Sequence, residues 1–141
     1  MPYDNNNVFA KMLRGEIPAI KVYEDDHSLA FMDIMPQAKG HTLVIPKEAA
    51  ETIMDLSEEG AAHWIKTAKK IATAVKQAFD APGVVLFQLN GTGAGQSVPH
   101  IHFHVLPGSI ADLRKPHASV QADPDELKQH AELIKAALQH S

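Results

Sequence analysis

Residues 100–107 read His-Ile-His-Phe-His-Val-Leu-Pro, with histidine at every second position and apolar residues between. Strict alternation has the period of a β-strand. It places His100, His102 and His104 on one face, with Ile101, Phe103 and Val105 on the other. Neighbouring histidines on such a face stand roughly 6.5–7 Å apart, and the outer pair about 13 Å. Three uses of that row compete. The first is a solvated polar face. The second is metal ligation, since imidazole is the commonest protein ligand. Two neighbours can converge on an ion, but Zn–N bonds of about 2.0–2.1 Å keep three histidines spread along a strand from doing so, unless a histidine or carboxylate from elsewhere completes the site. The third use, which we favour, is nucleophilic and acid–base chemistry on a phosphate. At an effective dielectric of ~20 and a separation of ~7 Å, one imidazolium adds about 2 kcal/mol to the cost of charging its neighbour. That lowers the neighbour by over ~1 unit from a reference near ~6.5. Neutral and cationic imidazoles are then expected side by side. The neutral one can attack, and the cationic one can steady an anion or protonate a leaving group.

Just upstream lies a glycine-rich segment, Gly91-Thr-Gly-Ala-Gly-Gln-Ser97. Glycines let successive backbone N–H groups turn toward one point and form an anion-binding concavity. The alternative is a plain turn. No helix follows the glycines and no Gly-Lys-Ser/Thr is present, so this is neither a dinucleotide fingerprint nor a P-loop. Beside a histidine row, with Asn90, Gln96 and Ser97 as further hydrogen-bonding groups, it would set donors for phosphate oxygens next to a nucleophile.

The rest of the chain must position these residues. Asn7 can cap a short helix, Val8 to Arg14, which Gly15 closes; Val8, Phe9 and Met12 form its apolar stripe. Ile20–Tyr23 and Leu29–Asp33 read as strands, His41–Pro46 as a third, and Met35 to Gly40 as a loop. Ser57, Glu58 and Glu59 open a long helix, whose apolar positions from Ala61 to Phe79 recur at the 3.6 period. Val84–Asn90 is largely apolar, and we expect it to be a central strand. After the histidine strand, 108–122 reads as loop. Asp123-Pro124-Asp125-Glu126 then starts a last helix that runs to about Leu138. The order is helix, three strands, helix, two strands, helix. The fold class is α+β with a mainly antiparallel sheet.

The chain has 141 residues, 45% apolar and 21% charged, which suits one soluble globular domain. A net charge of −4 without a basic run gives no reason to expect non-specific nucleic-acid or membrane-surface binding. Cysteine is absent, which excludes disulfides and thiolate ligands and fits a reducing compartment. The start has no basic and apolar leader pattern, and no apolar run approaches the ~18 residues of a membrane span. The expected location is the cytoplasm.

Taken together, the segment from Gly95 to Pro107, Gly-Gln-Ser-Val-Pro-His-Ile-His-Phe-His-Val-Leu-Pro, resembles the signature of the histidine triad (HIT) family. The resemblance continues through Arg14–Ala19, Tyr23–Asp26, Leu29–Ile34 and His41–Pro46, and so covers roughly residues 7–107 of a single domain spanning 1–141. The Arg-Gly-Glu-Ile-Pro-Ala that follows the first helix makes the chain more similar to the Hint-like, nucleoside phosphoramidase branch than to the dinucleoside polyphosphate branch. This resemblance implies a HIT-like fold, with the sheet continued across a homodimer and a purine nucleotide site in each protomer. It implies hydrolysis of purine nucleoside 5′-phosphoramidates, with no cofactor and no metal. His102 would attack the α-phosphorus to give a nucleotidyl-histidine. His100 and His41 would orient it, and His104 would contact phosphate oxygens or assist the leaving group. Asn90, Gln96 and Ser97 would lie by the phosphate. Asp33 would hold the ribose hydroxyls and Ile34 would contact the nucleoside, while Val8, Phe9, Met12 and Phe31 would line the base pocket. The rivals are a dinucleoside polyphosphate hydrolase and a nucleotide-binding or interaction module with little turnover. Asn7, Ala10 and Ala49 stand where many bacterial members carry two cysteines and a histidine that bind structural zinc, so no zinc is expected there. Gly108 stands where arginine is common, and residues 109–141 match no family motif.

Overall fold

The computed structural model describes residues 2–114 and 121–139. Helix α1 spans Val8–Leu13, followed by strands β1 (Lys21–Glu24), β2 (Ser28–Met32) and β3 (Thr42–Pro46). Helix α2 spans Glu58–Ala78, then come β4 (Val84–Phe87), β5 (Phe103–Pro107) and helix α3 (Pro124–Gln139). Short 3-10 turns sit at Ile53–Asp55, Thr92–Ala94 and Ile110–Arg114. The five strands form one sheet in the order β1-β2-β3-β5-β4, with every neighbouring pair antiparallel. The α+β class and the element order are those expected. The loop expected over 108–122 carries the last 3-10 turn, and its residues 115–120 lie outside those described.

Caps behave as the residue types dictate. Asn7 Oδ1 accepts from Ala10 N at 2.8 Å, and Ser57 Oγ accepts from Gly60 N at 2.9 Å. Side chains alternate across β2 and β3, and both faces are covered. Leu29, Phe31, Leu43 and Ile45 meet Phe9 of α1 on one side. Ala30, Met32 and Val44 meet Trp64, Ile71 and Val75 of α2 on the other, with Leu127 and Ile134 of α3 in the same cluster. Trp64 Nε1 also donates to Val44 O at 3.0 Å, and its ring stacks on Phe103. Each large side chain buried this way contributes about 1.5–3 kcal/mol. The side of the sheet facing α1 is where the functional side chains emerge.

Two strand expectations are corrected. The apolar run from Val84 was expected to form a central strand reaching Asn90, but β4 stops at Phe87 and is an edge of the sheet, with Leu86 exposed. An apolar run does not by itself distinguish a central strand from an edge. The ladder ends at the pair Phe87 and His104, and beyond it Gln88 and Asn90 bond each other through their side-chain amides, at 2.7 and 2.9 Å. The histidine stretch was expected to be extended from residue 100, yet β5 begins at Phe103. The backbone before it is drawn elsewhere: His100 N donates to Val98 O at 2.8 Å, and Ile101 N to Ala50 O at 2.9 Å. The three histidines therefore do not form an evenly presented row.

Gly40 holds the loop that precedes β3. Its φ is +83°, and a Cβ there would lie 2.5 Å from the ring of Phe79, the C-cap of α2. Only glycine fits that combination of backbone and close approach, so the loop of residues 33–40 packs directly onto the end of α2. No helix among the described residues is long and apolar enough to cross a membrane.

Candidate active site

A cavity of about 180 Å³ opens on the α1 side of the sheet. Val8, Phe9 and Met12 line it from α1, Phe31 from β2, and Asp33 and Ile34 from the loop that follows. His41, Ser97, His102 and His104 converge on its polar end. Ten of the thirteen side chains expected at the site thus share one concavity. A wider groove of about 480 Å³ lies elsewhere, along α2 among His63, Lys66, Thr67 and Lys70. Volume does not select the site; convergence of functional groups does.

Behind the cavity, hydrogen bonds fix where each imidazole proton sits. His100 is fully buried, and its Nε2 lies 2.8 Å from Pro46 O. A carbonyl only accepts, so that nitrogen carries the proton. His100 Nδ1 meets the hydroxyl of Tyr3. His102, 5% exposed, has its Nδ1 2.7 Å from His100 O, and Nδ1 therefore carries its proton. The remaining nitrogen of His102, Nε2, keeps its lone pair. Burial pushes both His100 and His102 below the usual imidazole range, and the accepting carbonyls oppose it. Mutual charge repulsion, the cause expected from spacing, is the smallest contribution at His100. Desolvation disfavours the charged form of both rings.

The other pair works in the opposite sense. Gln37 N donates to His41 Nδ1 at 3.1 Å, so the proton of His41 sits on Nε2. That nitrogen is 2.9 Å from His104 Nδ1 and 3.4 Å from Asp33 Oδ2. His104 Nδ1 is then an acceptor, which leaves the His104 proton on Nε2. His104 stacks on Phe87, its cross-strand partner, at 4.2 Å between centroids, and stands 4.9 Å from His102. One imidazole offers a lone pair and its neighbour an N–H.

Donor atoms of Asp33, His41 and His104 all lie within 4.8 Å of one another, close enough in principle to hold an ion. They do not fit one as arranged. The His41 nitrogen that would coordinate bears the proton, because a backbone N–H occupies the other nitrogen. Coordination needs that lone pair.

Three expected site residues stand apart from the cavity. His100 lies behind it. Asn90 Oδ1 accepts from Ile53 N at 2.8 Å, which ties the strand end to the first 3-10 turn. Gln96 is a brace: its Oε1 accepts from Gly91 N at 2.6 Å, and its Nε2 donates to Glu51 O at 2.7 Å and Val98 O at 2.9 Å. The glycine loop, expected to turn its N–H groups toward an anion, uses several of them internally. The N–H groups of Gly91, Ala94, Gly95 and Gln96 are all spent inside the loop. Sequence reasoning missed Tyr3, Gln37 and Phe87. Gln37 acts through its backbone and leaves no side-chain signal. Phe87 meets His104 only through the strand register, and Tyr3 sits 97 positions from its partner.

The comparisons agree with this geometry. The family model for the HIT domain matches residues 14–110. Protein hit of Bacillus subtilis is 45% identical over 102 residues, 72% of this chain and 70% of that protein. The adenosine 5′-monophosphoramidase of Schizosaccharomyces pombe is 37% identical over 133 residues, 93% of this chain and 97% of that enzyme. The crystal structure of a Hit-like protein from Bartonella henselae superposes with a TM-score of 0.90 at 45% identity, covering 97% of this chain and 99% of that one. The match to the HIT-domain model over residues 14–110, a segment that contains His100, His102 and His104, together with relatives of this similarity and the shared five-stranded antiparallel fold, places the chain in the HIT family.

Proposed function

We propose that the protein is a hydrolase of purine nucleoside 5′-phosphoramidates, working through a nucleotidyl-histidine on His102. The observation that carries the reading is the pair of complementary nitrogens at one end of the cavity. His102 Nε2 keeps a lone pair because Nδ1 donates to His100 O, and His104 Nε2 carries a proton because Nδ1 faces His41. The similarity to the Schizosaccharomyces pombe adenosine 5′-monophosphoramidase supports the substrate class.

In this reading the base enters between Val8, Phe9, Met12 and Phe31, where the cavity is apolar. Asp33 meets the ribose hydroxyls and Ile34 the nucleoside. Ser97 and the His104 N–H lie by the phosphate, where preorganised donors stabilise developing charge. His102 Nε2 attacks the α-phosphorus. The P–N bond breaks with its electron pair on nitrogen, and the amine takes a proton from water as it leaves. The positive charge that develops on the His102 ring is met by the His100 carbonyl at Nδ1. Water then attacks the phosphorus and releases the nucleoside monophosphate and a proton, which restores the lone pair. His104 is better suited to holding a phosphoryl oxygen than to delivering a proton, because His41 occupies its other nitrogen with an N–H. Cofactor and metal have no part in these steps.

We also propose a cytoplasmic homodimer. Strand β4 is a sheet edge with Leu86 exposed, which a second copy would cover by continuing the sheet antiparallel; light scattering on the purified protein tests this. The deciding experiment for the activity is turnover of an adenosine 5′-phosphoramidate by wild type and His102→Ala with EDTA present. Turnover by wild type alone supports the mechanism. Equal turnover in both overturns it, and nucleotide binding without turnover moves the protein to a binding module. Faster cleavage of a dinucleoside polyphosphate reassigns the substrate.

A further inference from the structure

The N-terminal segment takes part in none of the steps above, yet it reaches the machinery. Asn7 Oδ1 accepts from Ala10 N, which fixes the amide so that Nδ2 is its donor end. That Nδ2 donates to Asp4 O and to the hydroxyl oxygen of Tyr3, both at 2.8 Å. With its oxygen receiving Asn7, the Tyr3 hydroxyl gives its one proton to His100 Nδ1. His100 Nδ1 can accept it because the ring proton is on Nε2, against Pro46 O. A ring held at both nitrogens has its side-chain torsions restrained and so anchors residue 100, whose peptide carbonyl is also held through Ile101 N, which donates to Ala50 O at 2.9 Å. The carbonyl of residue 100 is the acceptor that keeps the His102 proton on Nδ1.

We infer that Tyr3 is a positioning residue, the donor in a one-directional hydrogen-bond chain that runs from the cap of α1 through Asn7, Tyr3 and His100 to the nucleophile His102. It rests on the reading of His102 as nucleophile. Neither Tyr3 nor Asn7 lines the cavity, so both act through His100. Burial raises the Tyr3 phenol above its usual range and keeps it a donor; hydrogen bonding from Asn7 opposes this, as does Arg14, while Asp4 adds to it. The chain also gives Asn7 a second task beside capping. Helix formation at residue 8 and proton placement at residue 102 depend on one side-chain amide.

The test combines ring nitrogen NMR of the ligand-free protein with kinetics on an adenosine 5′-phosphoramidate, for Tyr3→Phe and Asn7→Asp. Asn7→Asp keeps the cap acceptor but replaces the donor with an acceptor that draws the Tyr3 proton away from His100. It therefore reports on the chain even if Tyr3→Phe loosens the N-terminal segment. In both variants the His100 Nδ1 resonance is expected to move toward that of an imidazole nitrogen with no donor. kcat is expected to fall about tenfold, equivalent to about 1.4 kcal/mol, with KM within about twofold of wild type. Unchanged nitrogen shifts overturn the chain, and shifts that move without any loss in kcat overturn its role in positioning. If wild type itself shows no turnover, the proposed activity fails separately, and the nitrogen shifts alone decide whether the chain exists.

Discussion

Two pairs of histidines meet at this site, and they are held by opposite means. His100, behind the cavity, and His102, at its polar end, form one pair, each with a proton pinned to a backbone carbonyl, at Pro46 and at residue 100. His41 and His104 form a pair at the cavity wall, organised by a backbone N–H at Gln37. Where the backbone offers an acceptor, the ring keeps a lone pair on its other nitrogen, which His102 turns toward the cavity and His100 toward Tyr3. Where it offers a donor, the proton is passed along and the last ring presents an N–H. Side chains of one type thus take opposite parts, and the main chain decides which.

If this contrast holds, each pair fails differently. The largest effect is expected from His102→Ala, a loss of at least about 10³-fold in turnover with nucleotide binding retained, measured by single-turnover kinetics and equilibrium binding. His41→Ala removes the donor that sets His104 without touching the lone pair of His102. kcat is expected to fall about 10²-fold, while a stoichiometric burst of nucleotidyl-enzyme is still detectable by mass spectrometry. A loss as deep as that of His102→Ala would show the two pairs to be one unit.

Gly40→Ala strikes the wall side alone, since the new methyl meets Phe79 next to His41. We expect about 1–3 kcal/mol of destabilisation from backbone strain and overpacking. Denaturant unfolding gives that figure, and the ring nitrogen shifts of His100 and His102 should stay as in wild type. The smallest effect concerns pH. His100 and His102 are depressed in the folded state by burial, so the unfolded chain binds more protons below its reference near ~6.5. Stability is expected to be full above that pH and to decline as pH falls through it toward the lower folded values. His102→Ala should flatten this slope in unfolding curves taken across pH, and a slope unchanged by the substitution would break the assignment.

The triad was legible because its spacing is local. His100, His102 and His104 lie within five residues, and the apolar stripe of Val8, Phe9 and Met12 within one helix. Asp33 and His41 were found through the family likeness, and the cavity does bring them beside the triad. Gln96 and Asn90 were expected by the phosphate, and the structure shows both bonded to protein groups outside the cavity lining. An amide next to a glycine loop can serve a ligand or the loop, and only hydrogen-bond geometry distinguishes the two. The edge position of β4 was hidden in the same way, because apolarity does not reveal which strand lies beside which.

By itself, the sequence determined the element order, the α+β class, the caps at Asn7 and Ser57 and the presence of three closely spaced imidazoles, all of which follow from propensity and period along the chain. Tertiary structure alone decided that β5 starts after His102, that burial rather than mutual repulsion depresses the histidines, and which nitrogen of each ring carries its proton. Those properties depend on groups far apart in the chain, on Tyr3, Pro46 and Gln37 and on the density of atoms around a ring. A pattern of residue types contains no distances between such groups until the chain has folded.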